Sequence, residues 1–187
     1  MNVYDFDKTI YDGDSTVDFW KWCLKHYPAT RKDLLAQGVW GLGFGLGIVP
    51  KTKFKQNFYR FLKRLPDTEA AVRAFWAEHR GGIKQWYLDT KRGDDVIISA
   101  SPEFLLAPIC AELGVERMMA SRVDPKTGLY TGTNCHGEEK IVRFREFYRD
   151  EQIEVFFSDS HSDDPMARIS PKAVWVSGDV LTNWKFK

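Results

Sequence analysis

The chain has 187 residues, 43% of them hydrophobic, and its 27 basic and 26 acidic side chains nearly cancel to a net charge of +1. That length and core-forming content fit one compact domain, or one domain carrying a sizeable insertion, and 14% aromatics beside 28% charged residues argue against disorder. The balance lacks the basic excess of a general nucleic-acid binder, so no nucleic-acid partner is expected. Cys23, Cys110 and Cys135 are too few and too scattered for a disulfide scaffold or a thiolate zinc site. Together with a start interrupted by Asp5, Asp7 and Asp12, which does not resemble a signal peptide, they point to a cytoplasmic protein with reduced thiols.

Residues 2–7 read as a short strand ending among carboxylates. The stretch 16–88 is aromatic and helical in pattern and separates the first strand from the next by far more chain than one crossover needs. It therefore reads as an inserted helical cap (16–88) on a core formed by 1–15 and 89–187. A second apolar strand at 96–98 leads to Ser99, and a helix is expected to follow with Ser101 as N-cap and Pro102 at its first position. Gly114 stops that helix, 115–120 reads as strand, and the turn signal at 124–128 predicts a hairpin. Apolar residues at 141, 142, 144, 147 and 148 have helical spacing. Runs at 155–157 and 173–176 complete the strands, the first of them ending in the polar cluster 158–164. Short continuous apolar strands alternating with helices indicate an α/β fold, a parallel sheet covered on both faces. Ligands in such sheets sit beyond the carboxyl ends of the strands, where Asp5, Asp7, Ser99, Asp159 and Asp163 would converge.

The pattern Asp5-x-Asp7-x-Thr9 after an apolar strand resembles the first motif of haloacid-dehalogenase-type (HAD) phosphatases. Ser99 at a strand end, Lys140 after Gly137, and Asp159 with Asp163 look like the second, third and fourth motifs, in family order. The pattern around 99–103 and 159–166 is similar to the phosphoserine-phosphatase-like branch, whose helical cap follows the first strand of a Rossmann-like parallel sheet. The resemblance implies a Mg2+-dependent phosphomonoester hydrolase acting on a small phosphorylated substrate. Asp5 would be nucleophile and metal ligand, forming an aspartyl-phosphate. Asp7 would be the general acid and base and, through its backbone carbonyl, a further ligand. Asp159 and Asp163 would complete the metal site, and Ser99 and Lys140 would bind the phosphoryl group. A phosphotransferase of the same fold, a lipid-phosphate phosphatase with an apolar cap and a non-catalytic phosphate-binding module are the alternatives, the last disfavoured by the intact motifs.

Several residues admit two readings. Ser101 competes with Ser99 but is better explained as a cap. Asp14 is either the N-cap of a helix starting near Ser15 or a contact for a substrate amine. Arg60 is either a surface residue or a substrate contact out of register with the family's arginine. His161 reads as a loop histidine rather than a ligand, and His26, His79 and His136 show no ligand spacing. The glycine-rich apolar segment 34–50 reads as a packed cap hairpin in preference to a membrane-surface contact, and it is too short to span. The basic stretch 51–64 would help draw in an anionic substrate.

Overall fold

The structure, a computed structural model, describes residues 1–48, 57–149 and 151–187. Its sheet has six strands in the order β3-β2-β1-β4-β5-β6: β1 is Asn2–Tyr4, β2 Val96–Pro102, β3 Arg117–Ser121, β4 Val155–Ser158, β5 Ala173–Ser177 and β6 Val180–Asn183. β1 to β5 pair in parallel and β6 runs antiparallel at the edge. β1 thus lies between β2 and β4, the point at which the strand order reverses and where ligands bind in open sheets of this kind.

The helices bounded within the described residues are α1 (Ser15–His26), α2 (Leu34–Gly45), α3 (Thr68–His79), α4 (Gln85–Thr90), α5 (Glu103–Glu112), α6 (Glu138–Phe147) and α7 (Asp164–Arg168), with short 3-10 helices at Pro28–Asp33, Tyr59–Arg64, Arg80–Gly82 and His161–Asp163. Strand pleating sends successive side chains to opposite faces. Accordingly Tyr4 and Ile97 join one apolar cluster with Phe19, Phe75, Trp76 and Leu105, whereas Val3, Val96 and Ile98 join a second with Phe144, Phe156 and Met166. The first cluster takes residues from both sides of the boundaries expected at 15/16 and 88/89, so the helices of the insertion and the sheet share one core.

Three expectations change. Ser101 does not cap a helix: the chain is still extended there, β2 continues to Pro102, and α5 begins at Glu103 without a side-chain cap. The 124–128 turn forms, with Asp124 Oδ1 accepting from the amides of Lys126 and Thr127. Its arms pair antiparallel at Val123–Tyr130 through Asp124 N to Leu129 O (2.8 Å) and Thr131 N to Arg122 O (2.9 Å), but as a single bridge rather than two regular strands. The segment 34–48 is not a packed hairpin. It is α2 and its C-terminal turn, with Leu35, Val39, Leu42 and Leu46 exposed; residues 49 and 50, like 51–56 of the basic stretch, lie outside the described residues. β6 was not foreseen, because all four of its positions are exposed and it carries no buried face to read. No helix among the described residues is long and apolar enough to cross a membrane.

Candidate active site

β1 delivers Asp5 to the carboxyl edge of the sheet. Its amide extends the ladder to Phe157 O at 2.9 Å, fixing the backbone just where the strand ends. The chain then turns sharply: Lys8 takes a left-handed φ of 56°, and its amide bonds Gly13 O at 2.8 Å. This turn brings Asp7 back to the start of α1, where its Oδ1 accepts from the Ser15 amide at 2.7 Å. Asp7 Oδ2 accepts from the Ser101 hydroxyl. Ser101 is also within hydrogen-bonding distance of Ser15 Oγ (3.3 Å) and Thr16 Oγ1 (3.1 Å), so a largely buried hydroxyl network ties the first loop, the end of β2 and α1 together. Thr9 is fully buried, and its hydroxyl has no hydrogen-bond partner.

Across the cleft, Gly137 adopts φ 62° and starts α6, whose first turn carries Lys140. The Lys140 ammonium is 2% exposed and donates to Asp5 Oδ1 and to Asp163 Oδ2, each at 2.7 Å. Asp163 Oδ2 also accepts from Ser158 Oγ at 2.8 Å, while its buried Oδ1 has no partner. A cleft of about 340 Å³ at this edge is lined by Asp5, Asp7, Asp14, Ser99, Lys140, Asp159 and Asp163, joined by Lys8, Ala100, His136, Ser160 and Ser162.

The electrostatics follow from crowding carboxylates into a dry place. Burial raises the Asp5 pKa and Asp163 and Asp7 add to the rise, against the pull of the Lys140 ammonium. Lys140 loses solvation too, but its two carboxylate partners more than offset that and keep it charged. Burial, then the nearby Asp14, pushes Asp7 up to about 6, opposed by the hydrogen bonds from Ser101 and Ser15. Asp159 is likewise raised by burial, with Lys8 opposing. A carboxyl near 6 is poised to give and take a proton near neutral pH.

The fold thus brings together all the sequence-predicted residues except Arg60. Asp14 lines the cleft and also caps α1, accepting from the Val17 amide at 3.0 Å. Arg60 is exposed on the 59–64 helix and is not part of the cleft lining. Ser99 is buried, its Oγ accepting from the Ser101 amide at 3.1 Å. His161 is held by Asp164 at 3.2 Å and packed on Trp175, a structural placement. Sequence reasoning missed Ser101 as an Asp7 partner, and Lys8 and His136 as lining residues. Lys8 had a signal, since it stands inside the first motif; His136 lay in a stretch with no pattern.

Among the described residues, no group of three or more His, Cys, Asp or Glu side chains is gathered as a metal cluster. The donor chemistry still fits a hard cation. Asp5, Asp7, Asp159 and Asp163 offer only oxygen donors, three of them resist ionisation in this setting, and the buried Asp163 Oδ1 lacks a partner.

Comparison with known proteins gives a consistent picture. A family model described as haloacid dehalogenase-like hydrolase matches residues 3–168. A histidinol-phosphatase from Neisseria meningitidis is 30% identical over 201 aligned positions, covering 96% of this chain and 90% of that protein. Among solved structures, a protein of unknown function from Bordetella pertussis Tohama I superposes with a TM-score of 0.77 at 19% identity, covering 92% of this chain and 87% of that one. A phosphoserine phosphohydrolase-like protein from Francisella tularensis gives 0.56 at 18% identity, covering 92% and 86%.

Proposed function

The chain belongs to the haloacid dehalogenase-like hydrolases, and from that premise we propose that it is a phosphomonoester hydrolase working through an aspartyl-phosphate on Asp5. The observation that carries this reading is the buried Lys140 ammonium shared between Asp5 and Asp163 at the switch point of the sheet. A phosphomonoester is dianionic and a bare carboxylate repels it; a fixed ammonium beside the attacking oxygen offsets that repulsion. Asp5 attacks phosphorus and the bond to the leaving oxygen breaks. Asp7 gives its proton to the departing alkoxide, then takes one from the water that hydrolyses the phosphoenzyme, and inorganic phosphate leaves. Ser101 and the Ser15 amide hold Asp7 for both transfers. Ser99, midway along β2, lines the cleft and, with Lys140, binds phosphoryl oxygens. Asp5, Asp159, Asp163 and the Asp7 carbonyl would hold Mg2+, which when bound neutralises phosphoryl charge.

The substrate reading follows from Asp14. A carboxylate in the cleft next to Asp7 suits a cationic group on the substrate, and among the described residues the lining holds no arginine, its cations being Lys8 and the Lys140 already paired with Asp5 and Asp163. An amino-alcohol phosphate matches that pattern, and the Neisseria relative is named for such a compound. The segment 16–88 serves as the cap over the site. The test is hydrolysis by the full chain of p-nitrophenyl phosphate, then of phosphoserine, histidinol phosphate and sugar phosphates, with Mg2+ or EDTA. Phosphate release that needs Mg2+ and disappears in Asp5→Asn supports the proposal. Turnover that survives Asp5→Asn refutes it, and a preference for phosphoserine over histidinol phosphate refutes the amino-alcohol assignment alone.

A further inference from the structure

α2 is built inside out. Its one buried residue is polar: Gln37 accepts from the Trp20 indole at 3.2 Å and donates to Phe58 O at 2.8 Å. One line of its apolar side chains faces outward, with Leu35 at 87%, Val39 at 71% and Leu42 at 67% exposed, and Leu46 and Ile48 just beyond the helix at 66% and 75%, while Trp40 on the same helix is half-buried. Residues 35, 39, 42 and 46 follow steps of four, three and four, so they form a single stripe. Ordinary surface helices point such a stripe at the core, and an apolar surface of this extent on a soluble protein marks an interaction site.

Charge decides the occupant. From 34 to 66 the chain contains no Asp or Glu and six Lys or Arg. Among the described ones, Arg60 and Lys63 are exposed on the helix Tyr59–Arg64, which is tied to the base of α2 by Arg64 to Asp33 at 3.0 Å. Arg31 and Lys32, also exposed, precede α2. Two copies meeting through this face would bring like charges together, whereas an anionic bilayer complements them. Twelve residues rise about 18 Å against a hydrocarbon core of about 30 Å, too short to span. We propose that α2 lies flat on an anionic lipid surface, with Leu35, Val39, Leu42 and Leu46 in the acyl boundary and the neighbouring lysines and arginines at the headgroups. This assignment stands independently of the reaction proposed above.

The test is flotation of the full chain with vesicles of phosphatidylcholine alone, or with phosphatidylglycerol added to about a third. The wild type floats with the anionic vesicles and not with the neutral ones. Leu35→Glu combined with Leu42→Glu lowers the floating fraction at least about tenfold, with hydrolysis of a soluble aryl phosphate and the circular dichroism spectrum unchanged. Lys63→Glu weakens flotation, and added salt does the same. A wild type that stays with the soluble fraction, or a double variant that floats as well as the wild type, overturns the proposal. Sedimentation equilibrium without lipid supplies the other decisive outcome: a dimer that the double substitution converts to monomer assigns the stripe to a second copy and overturns it too.

Discussion

At the level of single side chains, the centre of the cleft is an ion triplet, Asp5–Lys140–Asp163, with every member nearly or fully buried. Removing one partner of a buried pair strands the remaining charge, at a cost of about 3–5 kcal/mol. Lys140→Met would strand two carboxylates. Asp5, already raised by burial, would lose the opposing pull of the ammonium and become harder still to ionise in the folded protein than in the unfolded chain, so the penalty grows as pH rises above the ordinary carboxyl value and shrinks where the group is protonated. The expected result, by thermal unfolding in EDTA, is a variant much closer to wild type at pH 5 than at pH 8; an equal gap at both would contradict the buried triplet. The hydroxyl of Ser101 predicts a second, separate effect. It stabilises ionised Asp7 and so holds that pKa down, at about 6. Ser101→Ala should raise it, moving the corresponding limb of the kcat/KM–pH profile to higher pH, and an unmoved limb would remove Ser101 from this role. These residues differ in how far they were legible. Asp5, Asp7, Asp159 and Asp163 were legible as carboxylates at strand ends and Lys140 through the family resemblance, and all five line the cleft. Ser101 was misread because Ser before Pro is a good capping pattern locally, and only the long-range contact with Asp7, 94 residues away, shows what its hydroxyl does.

Among the elements, the 124–130 turn links parts of the molecule that no local pattern connects. Gly128 has φ +72°, and a Cβ there would lie 2.5 Å from Tyr59 O and 2.9 Å from its carbonyl carbon. The turn is held again by Thr68 Oγ1 donating to Pro125 O at 2.9 Å, at the start of α3. Backbone cannot yield as a flexible side chain can. Gly128→Ala therefore adds a close contact to the roughly 1–3 kcal/mol of a left-handed non-glycine residue, and urea unfolding should show a stability loss of at least that size. A loss under about half a kcal/mol would mean that the turn does not dock on Tyr59. The turn itself was readable from its Asp, Pro and Gly, and so were five strands, whose buried apolar runs carry their own signal. The edge strand β6 was not, although Gly178 and Asp179 form a two-residue connection typical of a hairpin. A strand exposed at all four positions is fixed by its partner's hydrogen bonds more than by burial. α2 was misassigned for the opposite reason: apolar sequence normally implies packing, and here the stripe is left on the surface.

For the whole molecule, the question is whether the inserted helices and the sheet behave as one body. Sequence patterning suggested a cap and a core, because the insertion is long and has its own helical rhythm. The packing joins them. Trp76 of α3 donates from its indole to Leu105 O at 2.7 Å and meets Phe6 edge-to-face at 5.9 Å, while Phe19, Phe75 and Tyr87 share a cluster with Tyr4 and Ile97. Without α1, α3 and α4, that face of the sheet would lose its cover, and without the sheet those helices would expose their buried aromatic side chains. Lys84, itself buried, adds a polar tie by donating to Lys8 O and Gly178 O, each at 2.6 Å, joining the end of the insertion to the first loop and the β5–β6 turn. Parts sharing a core of this kind lose it together, so equilibrium unfolding should be a single cooperative transition. Tryptophan emission reads mainly the insertion through Trp20, Trp22, Trp40, Trp76 and Trp86, with Trp175 and Trp184 outside it, whereas far-ultraviolet circular dichroism reads the whole chain. The two probes should give coincident midpoints in urea, and Trp76→Phe, which removes the indole bond to α5, should lower both equally. An emission midpoint that falls clearly before the dichroism midpoint would mean that the helices detach first and that the cap is a separable domain.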